Sequence, residues 1–377
     1  MNEKEIGEIR RRFRPDKNNI SRIRGCYVNE KKEIISEFNQ SLALMSEAET
    51  EQLLAIMRKT LSGTLDKNLI DIEFSTQQVL EGEAHRRLTE LRNSSLEDDA
   101  EVGSFFSQTI EALTIEGNYL ILLAYDTYDV PAYRSDGTKD ENGAGMFSYI
   151  LCSICPVKLT KSALGYHSKE NRFCNITQDW AVSAPELGFM FPAFDNREAN
   201  IYNAVYYTRN AAENHQEFAE AVFQSVLPMP AAVQKEKFDT LLGEVIAEDC
   251  SYDVVRAVHS EINERIEDYK ASKSRDEDPP VIKKDDVKGI LQDCGVSDDK
   301  IYAFEGSFDA EFGEKTALIP GNIIDIRQFE ISTPDVTVRV NPERTDLVTT
   351  KIIDGVRYIL IRADESVEVN GINIHIS

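Results

Sequence analysis

Two stretches in the middle of the chain, NYLILLAYDTYDV at 118–130 and MFSYILCSICPV at 146–157, constrain its fold more than any other part. Both are apolar and rich in aromatic and β-branched residues, a composition suited to pleated strands. The intervening PAYRSDGTKDENGAG is polar, so two central strands joined by a mobile loop are expected. LGFMFPAF (187–194) and NIYNAVYYT (200–208) read as further strands of the same sheet. No apolar run approaches the roughly 20 residues that span a bilayer, so no membrane segment is expected.

Helical signals flank these strands. Residues 3–13 suit a short helix that ends where Pro15 restricts Arg14, and IRGCYVN and EIISEF then suggest a hairpin joined by NEKKE. Ser46 with Glu49, and Ser75 with Gln78, form capping boxes. After NSSLED, a helix places Val102, Phe105, Phe106, Thr109, Ile110 and Leu113 on one face. Helices dominate from about 211 to 270, where Val255, Val258, Ile262, Ile266 and Tyr269 form an apolar stripe. Near the end, Asp354-Gly355 and Asn370-Gly371 each separate alternating apolar runs, a strong hairpin signal.

A chain of 377 residues exceeds the usual single-core size, and the charged, proline-paired KSRDEDPPVIKKDD (273–286) has the character of a linker. The expected organisation is an N-terminal α/β segment with a basic arm (1–92), a central sheet plus helices (93–272), the linker, and a β-rich domain (287–377). The fold class is α+β: a central mixed or antiparallel sheet flanked by helices, with a β-hairpin-rich C-terminal domain.

The net charge of −24 argues against the whole molecule being a general nucleic-acid or anionic-membrane binder. The charge is uneven. Residues 1–24 carry eight Lys and Arg against four acids, a balance of +4 that leaves −28 on the rest. Arg10, Arg11, Arg12, Arg14, Arg22 and Arg24 either contact a polyanion, with Phe13 or Tyr27 stacking on a base, or pair within the acidic protein itself. Charges fill the N-terminal stretch where a secretory signal would be apolar, and the six cysteines are thinly spread, so a cytoplasmic location with reduced thiols is expected.

Cys152 and Cys155 form a C-x-x-C with His167 and Cys174 downstream, a zinc-type set on paper. On a strand, however, positions three apart face opposite ways, so the sulfurs diverge and two core cysteines are the expected outcome. The five histidines are scattered, and no phosphate loop, dinucleotide fingerprint, nucleophile elbow or EF-hand loop occurs. No catalytic residue, metal or cofactor is therefore assigned. One further place concentrates chemistry: seven of the 32 aromatics lie between 180 and 207. Trp180, Phe191, Phe194, Tyr202 and Tyr206, with Arg197 and Arg209 interleaved, suit a ligand pocket or protein interface, or else pack into the core.

PDKNNISRIRGCYVNEKKEIISEF, EGNYLILLAYDTYDVP, FSYILCSICPVKLTK and ELGFMFPAFDNREANIYNA resemble a family of uncharacterised proteins, a domain of unknown function from Gram-positive anaerobic bacteria. The resemblance runs over nearly the whole chain. It implies a bacterial, cytoplasmic, full-length unit and brings no activity, ligand or catalytic residue. The leading expectation is a non-enzymatic binding or regulatory protein with a protein partner. The alternatives are a nucleic-acid or ribosome-associated factor using the arm, and a hydrolase whose site is assembled from distant residues. The sequence does not determine the oligomeric state.

Overall fold

A computed structural model describes residues 1–133, 139–168, 171–272, 279–363 and 367–374. The chain divides into two compact units, Met1–Pro230 and Ala231–Ser377. In the first, α1 (Glu3–Arg10) precedes the hairpin β1 (Arg22–Val28) and β2 (Ile34–Ser41), followed by α2 (Glu47–Arg58) and β3 (Leu69–Glu73). Three helices follow, α3 (Thr76–Glu81), α4 (Glu83–Asn93) and α5 (Asp99–Ala112), leading into β4 (Asn118–Tyr133) and β5 (Lys139–Leu159). The short strands β6 (Ala163–His167), β7 (Arg172–Ile176) and β8 (Trp180–Val182) come next. They lead to β9 (Leu187–Phe191), β10 (Ala193–Asp195), β11 (Glu198–Asn200), β12 (Asn203–Thr208) and α6 (Gln216–Phe223).

The main sheet runs β2-β1-β4-β5-β9-β12-β3, with β8 also on β5, and its pairs are antiparallel. Both faces of its centre are buried, which is why β4 and β5 read as continuous apolar runs. Ile121, Leu123, Ile150, Cys152 and Phe189 enter one core, built with Leu88 of α4, Phe105 of α5 and Phe218 of α6. Leu120, Leu122, Tyr149, Leu151 and Cys155 enter the other, built with Ile6 and Ile9 of α1 and Leu54 and Met57 of α2. The close strand spacing has one strict requirement. A Cβ on Gly188 of β9 would lie 2.3 Å from the Cys152 carbonyl oxygen, so this position accepts no side chain.

Both capping boxes form: Ser46 Oγ accepts from the Glu49 amide, and Ser75 Oγ from that of Gln78. The apolar face expected after NSSLED is buried in full along α5 and at Leu113. α1 is a turn shorter than the expected 3–13, because the chain leaves the helix after Arg10 to bury Phe13. Much of the expected polar loop is strand, since Tyr133 pairs with Lys139. Residues 134–138 of that loop lie outside the described residues.

The second unit contains α7 (Ala231–Thr240), α8 (Tyr252–Ser272), α9 (Lys284–Asp293), α10 (Asp298–Phe312) and the short α11 (Pro320–Ile323). Three hairpins follow: β13 (Phe329–Ser332) with β14 (Thr337–Val340), β15 (Val348–Ile353) with β16 (Val356–Ile361), and β17 (Val367–Val369) with β18 (Ile372–Ile374). Asp354 and Asn370 have φ near +50° and Gly355 and Gly371 +81°, as the tight two-residue turns require. The stripe of α8 enters the core through Val254, Val258, His259 and Ile262, whereas Val255 is exposed.

The expected divisions at 92 and at 273–286 are replaced by one between Pro230 and Ala231. The N-terminal segment cannot be separate, because β1 is hydrogen-bonded to β4 inside the main sheet. Residues 273–278 lie outside the described residues. Ile282, later in the same stretch, bridges Leu318 and is buried in the core of the second unit.

Candidate protein interface

The basic arm is divided between the interior and the surface. Arg12, two residues past α1, reaches Asp126 on β4 with Nε to Oδ2 at 2.8 Å and Nη2 to Oδ1 at 3.0 Å. Asp126 is buried, and its oxygens also accept from the Asn19 amide and the Tyr149 hydroxyl, each at 2.8 Å. Its acceptor positions are thereby filled, which makes it a clamp and leaves no place for a ligand. Burial, then the neighbouring Asp126 charge, hold the Tyr149 pKa well above its ordinary value. Burial would lower the Arg12 pKa, but the Asp126 hydrogen bond and charge overcome it and raise it, so the guanidinium keeps its charge. The Arg12 guanidinium also lies over the Tyr128 ring, 4.5 Å from its centre. The Tyr128 hydroxyl donates to Glu8 at 2.5 Å, and burial followed by that bond pushes its pKa up to about 12.

Arg24 is likewise taken inward, 2.7 Å from Asp99 in the first turn of α5 and 3.3 Å from the Leu96 carbonyl. Phe13 is core, and the half-buried Tyr27 accepts a bond from Asn118 at its hydroxyl. Arg10, Arg11, Arg14 and Arg22 are exposed, and no ion pair reaches them among the described residues. The sequence could not distinguish Arg12 from its neighbours, because its partner lies 114 residues away.

The aromatic segment disperses instead of forming a patch. Strand alternation sends Phe191 and Tyr206 to one face of the sheet, while Phe194 joins the opposite core. Phe191 meets Phe74 and His85 edge to face at 5.9 and 5.3 Å, and the Tyr206 hydroxyl donates to the Asn214 carbonyl at 2.7 Å. Arg197 pairs with Glu8 at 3.1 Å and Arg209 with Glu186 at 3.6 Å, while Tyr202 sits exposed at a turn. Arg197 and Phe194 thus help to seat α1, tying the two expected sites together by packing. Of the five aromatics singled out, Trp180 at 53% and Tyr202 at 42% keep the exposure that an interface residue needs.

Trp180 belongs to a feature that sequence reading missed. Beyond the main sheet, β5 and β8 continue into β6 and β7 as one antiparallel ribbon. Its register holds from Val157–Val182 through Leu159–Trp180 and Ala163–Ile176 to His167–Arg172, with the Thr160 amide donating to the Asp179 carbonyl between. Leu164 is 75% exposed, Phe173 67%, Tyr166 53% and Trp180 53%. Tyr166 and Phe173 are cross-strand partners with ring centres 5.3 Å apart, on the face that also carries Leu164. The alternation in ALGYH and RFCNI was the available signal, but alternation cannot say whether a face is covered.

The C-x-x-C carries no reactive chemistry here. Cys152 and Cys155 lie in opposite cores; burial raises the Cys152 pKa well above normal and that of Cys155 to about 12, so both remain thiols. Among the described residues no group of three or more His, Cys, Asp and Glu could hold a metal ion. In the second unit a cleft of about 320 Å³ is lined by Phe238, Val258, His259 and Phe329. His259 donates from Nε2 to the Asp325 carbonyl at 3.0 Å, and burial lowers its pKa. The cleft carboxylates Asp239 and Glu330 are engaged by Lys235 and Arg339.

No curated protein and no solved structure matches the chain. A family model described as Domain of unknown function (DUF4317) matches residues 1–372.

Proposed function

The chain belongs to the DUF4317 family, which assigns it no activity, and we propose that it is a non-enzymatic binding or regulatory protein acting through protein contacts of the β5–β8 ribbon. The supporting observation is the exposure of Leu164, Tyr166, Phe173 and Trp180 on one projecting ribbon. Leaving such side chains in water forgoes about 1.5–3 kcal/mol each of burial, and Trp and Tyr are over-represented where partners bind most strongly. The reading includes a cytoplasmic location, supported by six cysteines none of which is paired. No helix among the described residues is long and apolar enough to cross a membrane.

The test is affinity capture from native cells after nuclease treatment. Partners retained by the wild type are expected to be lost when Tyr166, Phe173 and Trp180 are all changed to Ala, with the thermal midpoint unchanged. Equal capture by both proteins would refute the ribbon as the contact.

A second reading rests on the exposed cations Arg10, Arg11 and Arg14. With Phe13 buried, they offer phosphate contacts without base stacking, hence binding to RNA with little sequence preference. Changing all three to Ala should reduce the slope of log affinity against log salt for a single-stranded RNA by about 2. An unchanged slope removes this reading.

A further inference from the structure

The cleft in the second unit shares no residue with the ribbon or the basic arm, and it has the size and lining of a small-molecule site. Its walls come from three places in the chain. α7 runs on into a π turn, Leu241–Val245, a local widening that recurs at functional sites, and this stretch supplies Phe238 and Leu242. α8 supplies Val258 and His259, and the segment after α11 supplies Asp325, Gln328 and Phe329. A cavity of about 150 Å³ takes a benzene ring. One of about 320 Å³ therefore admits two fused rings.

The polar lining selects the charge of an occupant. His259 is 8% exposed, and with its Nε2 proton on the Asp325 carbonyl its Nδ1 is an acceptor without a partner. Burial lowers its pKa, so at neutral pH the ring is uncharged and adds no attraction for an anion. Lys235, the one lining cation among the described residues, is held by Asp239 at 2.8 Å, and Arg339 holds the lining Glu330 at 3.1 Å. That leaves Asp325, whose carboxylate accepts the Arg327 amide at 2.9 Å and is reached by no ion pair among the described residues. Gln328, half-buried, likewise has no hydrogen-bond partner among them. We propose that the cleft binds a small aromatic cation, with one or two fused rings against Phe238 and Phe329, a protonated amine at Asp325, and a further polar contact to Gln328. The net charge of −24 draws cations toward the chain in the same sense.

Isothermal titration calorimetry of the full chain with tryptamine, an indole carrying an ammonium group, tests the proposal, with indole-3-acetate as the anion on the same ring system. Tryptamine should bind with a Kd below about 1 mM, and indole-3-acetate at least about 30-fold more weakly. Asp325→Asn, which keeps an acceptor for the Arg327 amide, should weaken tryptamine by about 10-fold and narrow the gap between the two probes. Val255 lines the cleft and is 37% exposed, so Val255→Trp fills the space from a surface position and should abolish tryptamine binding with the thermal midpoint little changed. A wild type that binds no tryptamine up to about 5 mM overturns the proposal. Equal affinity for the two probes, or a tryptamine affinity that neither substitution alters, overturns it as well.

Discussion

Arg12→Met is expected to lower the stability of the Met1–Pro230 unit by about 3–5 kcal/mol, the usual loss when one member of a buried ion pair is removed. The reason lies in Asp126, whose carboxylate is 1% exposed and would keep only the Asn19 amide and the Tyr149 hydroxyl as donors. Burying a charge without its counter-charge is among the few single changes with so large an effect. Arg12→Lys should recover only part of the loss, since an ammonium cannot reproduce two parallel contacts to the carboxylate together with the third to the Thr127 carbonyl. Arg10→Ala, Arg11→Ala and Arg14→Ala should each stay within about 0.5 kcal/mol of wild type. Urea unfolding followed by circular dichroism measures all five variants. If Arg12→Met lost no more than Arg10→Ala, the clamp would not exist in solution.

Phe191→Ala is expected to cost about 3–5 kcal/mol, whereas Trp180→Ala should be nearly neutral in stability. The two residues belong to one aromatic stretch and look interchangeable in sequence. Phe191 is wholly buried among Phe74 and His85, so its truncation leaves a cavity in a layer that cannot collapse onto the rigid sheet. Trp180 stands half in water opposite Leu159, and its removal takes away contact surface instead of core. Thermal or urea unfolding of the two variants, beside partner capture, should show opposite profiles: stability lost with Phe191, binding lost with Trp180. A Trp180→Ala protein as unstable as Phe191→Ala would place the ribbon in the fold and not on the surface.

Much of the local structure was legible because its causes are local. The capping residues Ser46 and Ser75 lie three residues from the groups they bond, and Asp354-Gly355 specifies its turn through the positive φ that its own two residues tolerate. The divergence of Cys152 and Cys155 followed from strand parity alone, and the structure places them in opposite cores. The candidate site was far less legible. Trp180 was the one exposed ribbon residue singled out, and Phe191, Phe194 and Tyr206 were grouped with it by proximity in sequence, although the sheet separates them by face.

The sequence by itself determined many of the elements: the apolar central strands β4, β5, β9 and β12, the capped starts of α2 and α3, and the Asp354-Gly355 and Asn370-Gly371 turns. Each of these is set by backbone preferences and side-chain periodicity over a few residues. Only the tertiary structure decided that Arg12 and Arg24 turn inward while Arg10, Arg11 and Arg14 do not, that β1 joins the main sheet, and that Leu164, Tyr166, Phe173 and Trp180 of the ribbon stay exposed. Those outcomes depend on strand order and on partners about a hundred residues away. A charge is drawn into the interior only where a distant carboxylate meets it, and an apolar face is buried only where another layer happens to lie.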